Sequence, residues 1–393
     1  MKLPRQAINR RSFLHLGTTL ALSVPLALRQ GTTSLFGAET TVSPSLRSAA
    51  KVAITRCVGY GAAVRPALAK CLDQLGGIGA LVRNKTVTIK VNLTGTNFSE
   101  YLGRPVGETY MTHYDTVLAL TALLLEAGAK RVRFVESTQS KASLKTSLGF
   151  AGWDVKALEA LGKIEFENTR NLGSSSRYAH SKIPFGGYMF SALDLNQAYE
   201  DTEVMVSLAK MKNHITAGVT LSMKNLFGIT PNSLYGDEAG NENATAGRGP
   251  LHNPRGFEKI KLPGLKEGIT SIEPTWRVPR ITVDVCAARP IHLAIIDGIT
   301  TMNGGEGPWC RDAAEIKFMA PGVLIAGLNP VSTDAVATAV MGYADPRALK
   351  GTKPFVHCDN HLLLAEQAGL GIAELAQIDV RGETVEKVKC SFG

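Results

Sequence analysis

Short apolar runs alternate along this chain with amphipathic stretches, and the alternation itself predicts most of its elements. Val52-Ala53-Ile54 opens as a strand. After Gly59-Tyr60-Gly61, apolar residues recur at helical spacing (Val64, Leu68, Cys71, Leu72, Leu75), predicting a helix over 64–75. A β-branched run over 86–93 predicts a strand, followed by a helix over 114–127 and a strand over 131–135. Two short helices are expected within 141–162, and strands over 163–166 and 203–208. Helical spacing then predicts one helix over 215–227, capped by Gly228. Residues 229–256 are rich in Asn, Gly and Pro and too long for an ordinary connection, which marks a lid or binding loop. Helical spacing returns over 281–287, strands over 291–296 and 323–327, helices over 332–341 and 357–368, and a last strand over 378–380. The near-continuous apolar runs fit strands buried on both faces. Strand and helix alternate throughout, so the expected fold is α/β: a mixed or mostly parallel sheet flanked by helices, in one large domain that has at most two lobes.

Composition changes this picture mainly at the N-terminus. The chain has 393 residues, 44% hydrophobic and 20% charged, as a globular protein would. Its formal charge is +9, but five of the 43 basic residues fall within the first 38, which hold no acid; the rest carries 38 basic against 34 acidic residues. So small an excess argues against nucleic acid as a partner. Asn9-Arg10-Arg11-Ser12-Phe13-Leu14 resembles a twin-arginine export motif. A broken apolar stretch over 16–28 and small residues at Gly37-Ala38 follow it. Residues 1–38 are therefore expected to be an export signal, 39–50 a linker and 51–393 the mature domain. The expected location is periplasmic or otherwise extracytoplasmic, with no stable membrane span. Export of a folded protein leaves room for a metal or other cofactor, or for a partner protein exported with it.

The six cysteines form no Cys-x-x-Cys pair and no ferredoxin or zinc-ribbon pattern, so an iron–sulfur cluster is not expected and mostly buried thiols are. Polar clusters instead collect at the predicted carboxyl ends of strands, where open α/β sheets bind ligands. Lys90 and Asn92 share a face by the period of two. Lys210-Met211-Lys212-Asn213-His214 follows the strand over 203–208. Thr216, Thr220 and Lys224 would share one face of the helix over 215–227, beside Asn225. Asp297 ends the strongest strand; the loop after it contains Gly304, Glu306 and Gly307, with Cys310 just beyond. These residues define the expected site: Lys90, Lys212, His214, Lys224 and Asp297 as acid–base groups, and Asn92, Asn225, Gly304 and Gly307 as ligand contacts. His214, Asp297 and Glu306 are the expected set for a metal. Two further clusters have a structural alternative. Ser332 or Thr333 would cap a helix whose first turn holds Asp334. His357 and His361 lie four apart, a spacing that can chelate.

The order of these clusters resembles the prokaryotic family named domain of unknown function 362, across residues 52–382. The resemblance rests on Ile89-Lys90-Val91-Asn92-Leu93, Lys210-x-Lys212-x-His214 and Thr220-x-x-x-Lys224-Asn225-Leu226-Phe227-Gly228. It continues through Asp297-Gly298, Met302-x-Gly304-x-x-Gly307-Pro308, Asp334-Ala335-Val336-Ala337 and Gly369-Leu370-Gly371. Many relatives carry an appended iron–sulfur module, whose cysteine runs this chain lacks. The family strand usually ends Asp-Ala where this one has Asp297-Gly298. The resemblance implies no single activity. The expected function is therefore an exported enzyme or enzyme-like protein whose cationic, amide-lined site takes a small anionic ligand, with a metal or redox cofactor allowed. The alternatives are a non-catalytic anion- or metal-binding protein and a subunit of an exported redox complex.

Overall fold

The computed structural model describes residues 50–393 except 96 and 311–315. The expected signal over 1–38, and all but the last residue of the linker over 39–50, lie outside the described residues. Fourteen strands are described: β1 Lys51–Arg56, β2 Thr86–Lys90, β3 Arg131–Glu136, β4 Ile164–Asn168, β5 Tyr178–Lys182, β6 Ala192–Asn196, β7 Val204–Lys210, β8 Asn213–His214, β9 Gly218–Val219, β10 Leu293–Gly298, β11 Thr301–Met302, β12 Phe318–Met319, β13 Val323–Gly327 and β14 Asp379–Gly382. Eight of them form one sheet in the order β14-β1-β13-β10-β7-β2-β3-β4. From β10 to β4 every pairing is parallel, while β13 runs antiparallel to both β10 and β1. The sheet is therefore mixed, as expected for an α/β fold.

The apolar runs explain the burial. Every residue of β2, β7, β10 and β13 is buried, because helices cover both faces. Helices α1 (Val64–Gln74) and α2 (Tyr114–Glu126) pack Leu68, Cys71, Leu120 and Leu124 against Val87, Ile89, Val206 and Ile295. On the other face α3 (Leu221–Leu226), α4 (Pro274–Ala288) and α5 (Pro330–Val340) pack Leu221, Met223, Ile281 and Val336 against Met205, Ala209 and Ile296. Helix α6 (His361–Gln367) joins this second core through Leu362 and Ala365. The chain leaves β2 toward β3 and β4 on one side and returns to β7 on the other. The order thus reverses between β2 and β7, the switch point at which the carboxyl ends of strands open a crevice.

Several expected elements differ. The helix over 215–227 is shorter: β8 and β9 form a hairpin first, with Asn213 opposite Val219 and His214 opposite Gly218, and only Leu221–Leu226 is α-helical. Gly218 follows the turn over 215–217 at φ +76°, a conformation that breaks a helix and suits glycine. A Cβ there would also meet the Phe355 ring at 2.5 Å. Gly228 does not cap α3 but lies within the 3₁₀ turn Phe227–Ile229. Neither Ser332 nor Thr333 caps α5; Asn329 does, accepting the Ser332 N–H at 3.1 Å. His357 lies outside α6, which starts at His361 after an Asn360 cap, so the pair does not share a helix face. The β5–β6 hairpin has no counterpart in the expected elements. All six cysteines are free thiols, five of them buried. Among the described residues no helix is long and apolar enough to cross a membrane.

Candidate functional site

The end of β2 and the segment after β7 open into a cleft of about 370 Å³ at the switch point. Lys90, Asn92, Lys212, His214, Lys224, Asn225 and Glu306 all line it, so seven of the expected residues converge. Thr216 and Thr220 line it as well, although only Thr220 adjoins the helix. Sequence reasoning missed Glu136, Gln139, Arg248, His252 and Trp309. Arg248 and His252 belong to the long loop over 229–256, whose length was their one signal. Glu136 ends β3 and was visible only as a carboxylate at a strand end.

Each lysine reaches the cleft differently. Lys90 lies on the α3 face of β2 and is 2% exposed. Its Nζ meets Glu136 Oε1 at 2.7 Å and donates to Val91 O, also at 2.7 Å. Glu136 is fixed in turn by the N–H groups of Leu93 and Ser137. Asn225 receives a long bond from Lys90 Nζ and donates to Lys90 O and Ser207 Oγ, so it ties α3 to β2 and β7. A Cβ on Gly228 would lie 3.1 Å from Lys90 Nζ, so glycine leaves room for that lysine. Lys212 donates to Tyr110 O at 2.6 Å, Glu306 O at 2.9 Å and Thr94 Oγ1 at 3.2 Å. All three acceptors are neutral, so its charge has no direct counter-ion among the described residues. Burial pushes Lys212 down to about 7, against the pull of Glu306.

Lys224 differs from both. It projects from α3 with Nζ 4.3 Å from the centre of the Phe227 ring, and it has no hydrogen-bond acceptor among the described residues. Burial lowers it to about 8, partly offset by Glu306. Arg248 donates through Nε to Thr230 O at 3.0 Å and through Nη2 to Gly228 O and Asn232 Oδ1, again meeting neutral oxygens. Among the described residues, four cationic side chains thus line a cleft that holds two carboxylates, Glu136 and Glu306. Glu136 is matched by Lys90. For Glu306, burial favours the neutral acid, but the Ile215 N–H and the charge of Lys224 lower it and keep the group ionised. Glu306 also accepts the Trp309 indole N–H at 3.3 Å, which holds that ring on the rim.

The two histidines are neutral and set in opposite tautomers. His214 Nδ1 accepts the Thr216 N–H at 3.2 Å, which places its proton on Nε2. His252 Nδ1 faces Arg248 O at 2.8 Å and must donate, leaving Nε2 as an acceptor. Burial drives His214 well below its ordinary value and His252 to about 4. Asn92 adds a buried carboxamide oxygen with no donor among the described residues.

Helix α3 is held by an acid from another helix. Asp334 accepts Ser222 N–H at 2.9 Å, Ser222 Oγ–H at 2.6 Å and Met223 N–H at 2.8 Å. It therefore caps the helix that carries Lys224, rather than serving the dipole of its own helix. Burial raises its carboxyl to about 7 despite those bonds.

Asp297, Gly304 and Gly307 are not in the cleft lining. Asp297 lies on the α1/α2 face of the sheet and is fully buried. Tyr60 Oη and Thr116 Oγ1 donate to it at 3.0 and 2.9 Å, and Lys210 Nζ lies 3.5 Å away. The expected acid–base role of Asp297 in the cleft therefore has no geometric support. The expected metal set is divided the same way: His214 Nδ1 lies 3.8 Å from Glu306 Oε2, but Asp297 is elsewhere. Among the described residues no three His, Cys, Asp or Glu side chains are grouped to hold a metal ion. Gly304 N–H donates to Asn213 Oδ1, and a Cβ on Gly307 would fall 2.4 Å from the Trp309 ring, so both glycines shape the loop. The Gly59-Tyr60-Gly61 turn offers no free amide at Gly61, whose N–H donates to Asp115 Oδ2 at 2.7 Å.

A thylakoid-associated protein of Synechocystis sp. is 26% identical over 290 residues, 72% of this chain and 73% of that protein. A crystal structure of a Thermotoga maritima protein is 13% identical with a TM-score of 0.31; the match covers 67% of this chain and 55% of the other. The family model for "Domain of unknown function (DUF362)" matches residues 87–339, which include every residue lining the cleft, and the chain belongs to that family.

Proposed function

We propose that the cleft binds a small dianion and that Lys224 exchanges a proton with it. The observation that carries this reading is the unmatched charge: among the described residues, Lys212, Lys224 and Arg248 meet only neutral acceptors or none, and Glu306 is the one carboxylate left to them. A buried cation without an anionic partner is costly, and a bound dianion would remove that cost. Lys212, with three fixed acceptors, and Arg248 would supply a preorganised field. Lys224, whose hydrogens are uncommitted, would donate to the ligand; near 8 it can give and regain a proton close to neutral pH. A non-catalytic binding protein would use the same cations, and Lys224→Arg separates the two, because arginine keeps the charge and does not release a proton.

Sulfate and inorganic phosphate are the probes. Calorimetric titration should show binding to the wild type. Lys224→Met should weaken it about 10- to 100-fold, the worth of a charge-assisted hydrogen bond, while Lys224→Arg largely retains it. Equal affinity in wild type and Lys224→Met would refute the reading. We also propose that residues 1–38 direct twin-arginine export, supported by Arg10-Arg11 and the apolar stretch behind them. Replacing both arginines with lysine should leave the protein in the cytoplasmic fraction of its native host; unchanged export would contradict this.

A further inference from the structure

The loop after β3 continues past the cationic cleft into a second cavity. Ser137 and Gln139 line the cleft; Thr138, Gln139 and Ser140 line the second cavity, of about 420 Å³, with Ser147, Phe98 and Phe150 completing it. Gln139 is common to both, and its carboxamide makes no hydrogen bond among the described residues. The two spaces therefore share one wall, and an uncommitted amide stands between them.

The second cavity is chemically unlike the first. Among the described residues its lining includes no charged side chain. Phe150 ends the short helix Leu144–Phe150 and is 65% exposed. Phe98 is its aromatic neighbour, with ring centres 6.5 Å apart and planes tilted by 32°. An exposed phenylalanine alone is ordinary. One that walls a cavity beside a cationic cleft, facing a second ring, offers stacking surface to a ligand. The rim hydroxyls add direction. Thr138 Oγ1 donates to Ser140 O and accepts from Asn168 Nδ2, and Ser147 Oγ donates to Ser143 O, so neither hydroxyl has a proton left for a ligand.

We infer that the dianion of the cleft carries an aromatic or heteroaromatic ring, which lies against Phe98 and Phe150 while the charged group sits among Lys212, Lys224 and Arg248. This rests on the anion-binding reading above and adds the class of ligand. Gln139 would contact the atoms that join the two parts.

Calorimetric titration with inorganic phosphate, methyl phosphate and phenyl phosphate tests it on the full chain. The wild type should bind phenyl phosphate about tenfold more tightly than methyl phosphate, the scale of one aromatic contact. Phe150→Ala and Phe98→Ala should each shrink that gain and leave methyl phosphate unaffected. Phe150 is exposed, so its variant should melt at the wild-type temperature. Equal affinity for the two esters, or a gain that survives in both variants, would overturn the inference while the anion reading stands. Binding of none of the three would overturn both.

Discussion

Lys210 and Lys212 are two residues apart, both buried at the same end of the sheet, yet they belong to different kinds of place. Lys210 lies in a closed cluster. Its Nζ donates to Tyr60 Oη and Gly107 O at 2.6 Å and faces Asp297 at 3.5 Å. Asp297 in turn accepts from Tyr60, Thr116 and the Ile299 N–H, and His113 stacks on Tyr60 with ring centres 3.4 Å apart. Charge there is matched, and the Lys210 ammonium and the Tyr60 and Thr116 hydroxyls all have acceptors. Lys212 opens on the cleft, where among the described residues cations outnumber carboxylates and Lys224 has no acceptor. Burial of a lysine marks both regions; unmatched charge beside open volume marks only one.

The comparison is broken most strongly from the closed side. Asp297→Ala would leave Lys210 buried without its counter-ion, and denaturant unfolding should show a loss of about 3–5 kcal/mol. Sulfate affinity of the folded variant should stay within about twofold of wild type, since Asp297 does not line the cleft. A collapse of affinity with little loss of stability would reverse the two assignments. Next in size, Asp334→Ala removes three hydrogen bonds from the start of α3 and should cost about 2–3 kcal/mol. Sulfate affinity should fall with it, because α3 carries Lys224.

On the open side the signs differ. Lys224→Met removes a cation that has no acceptor, so stability of the free protein should hold or rise by about 1 kcal/mol while sulfate binding weakens. The pH dependence sharpens the contrast further. Folded Lys212 and Lys224 titrate near 7 and 8, below the ordinary 10.5. Between about 7 and 10.5 the unfolded chain therefore holds more protons than the folded one, and these two groups make stability rise with pH. Sulfate affinity should move the other way and fall from pH 6.5 to 9, as the cations that hold it are lost. Thermal melts with and without sulfate across this range would show the two curves converging; parallel curves would contradict the assignment.

Much of this was legible in the sequence, for a physical reason. Strand-end lysines and amides announce themselves because a buried strand must end where its polar continuation finds water, a partner or a ligand. Lys90, Asn92, Lys212, His214, Lys224 and Glu306 do meet. What was not legible is which face of the sheet each one takes. Asp297 ends a strand as Lys90 does, but its parity in β10 places it on the α1/α2 face. The hairpin of β8 and β9 was hidden because Val219, Met223 and Leu226 keep helical spacing even where Gly218 turns the backbone the other way. Glu136, Arg248 and His252 come from segments joined only by folding, and no local pattern predicts that Arg248 from a long loop returns to Gly228. Asp334 is instructive in another way: in sequence it fits the first turn of its own helix, and only the tertiary structure shows it capping a different one.

The most direct test is to count the protons taken up when a non-titrating dianion enters the cleft. Sulfate binding measured by calorimetry at pH 7.5–8, in two buffers of different ionisation enthalpy, gives that number. A bound dianion favours the charged forms of Lys212 and Lys224, so the wild type should take up a substantial fraction of a proton, and Lys224→Met should take up less. Sulfate binding with no proton uptake, or uptake unchanged in Lys224→Met, would contradict the claim that these lysines form an uncompensated anion site.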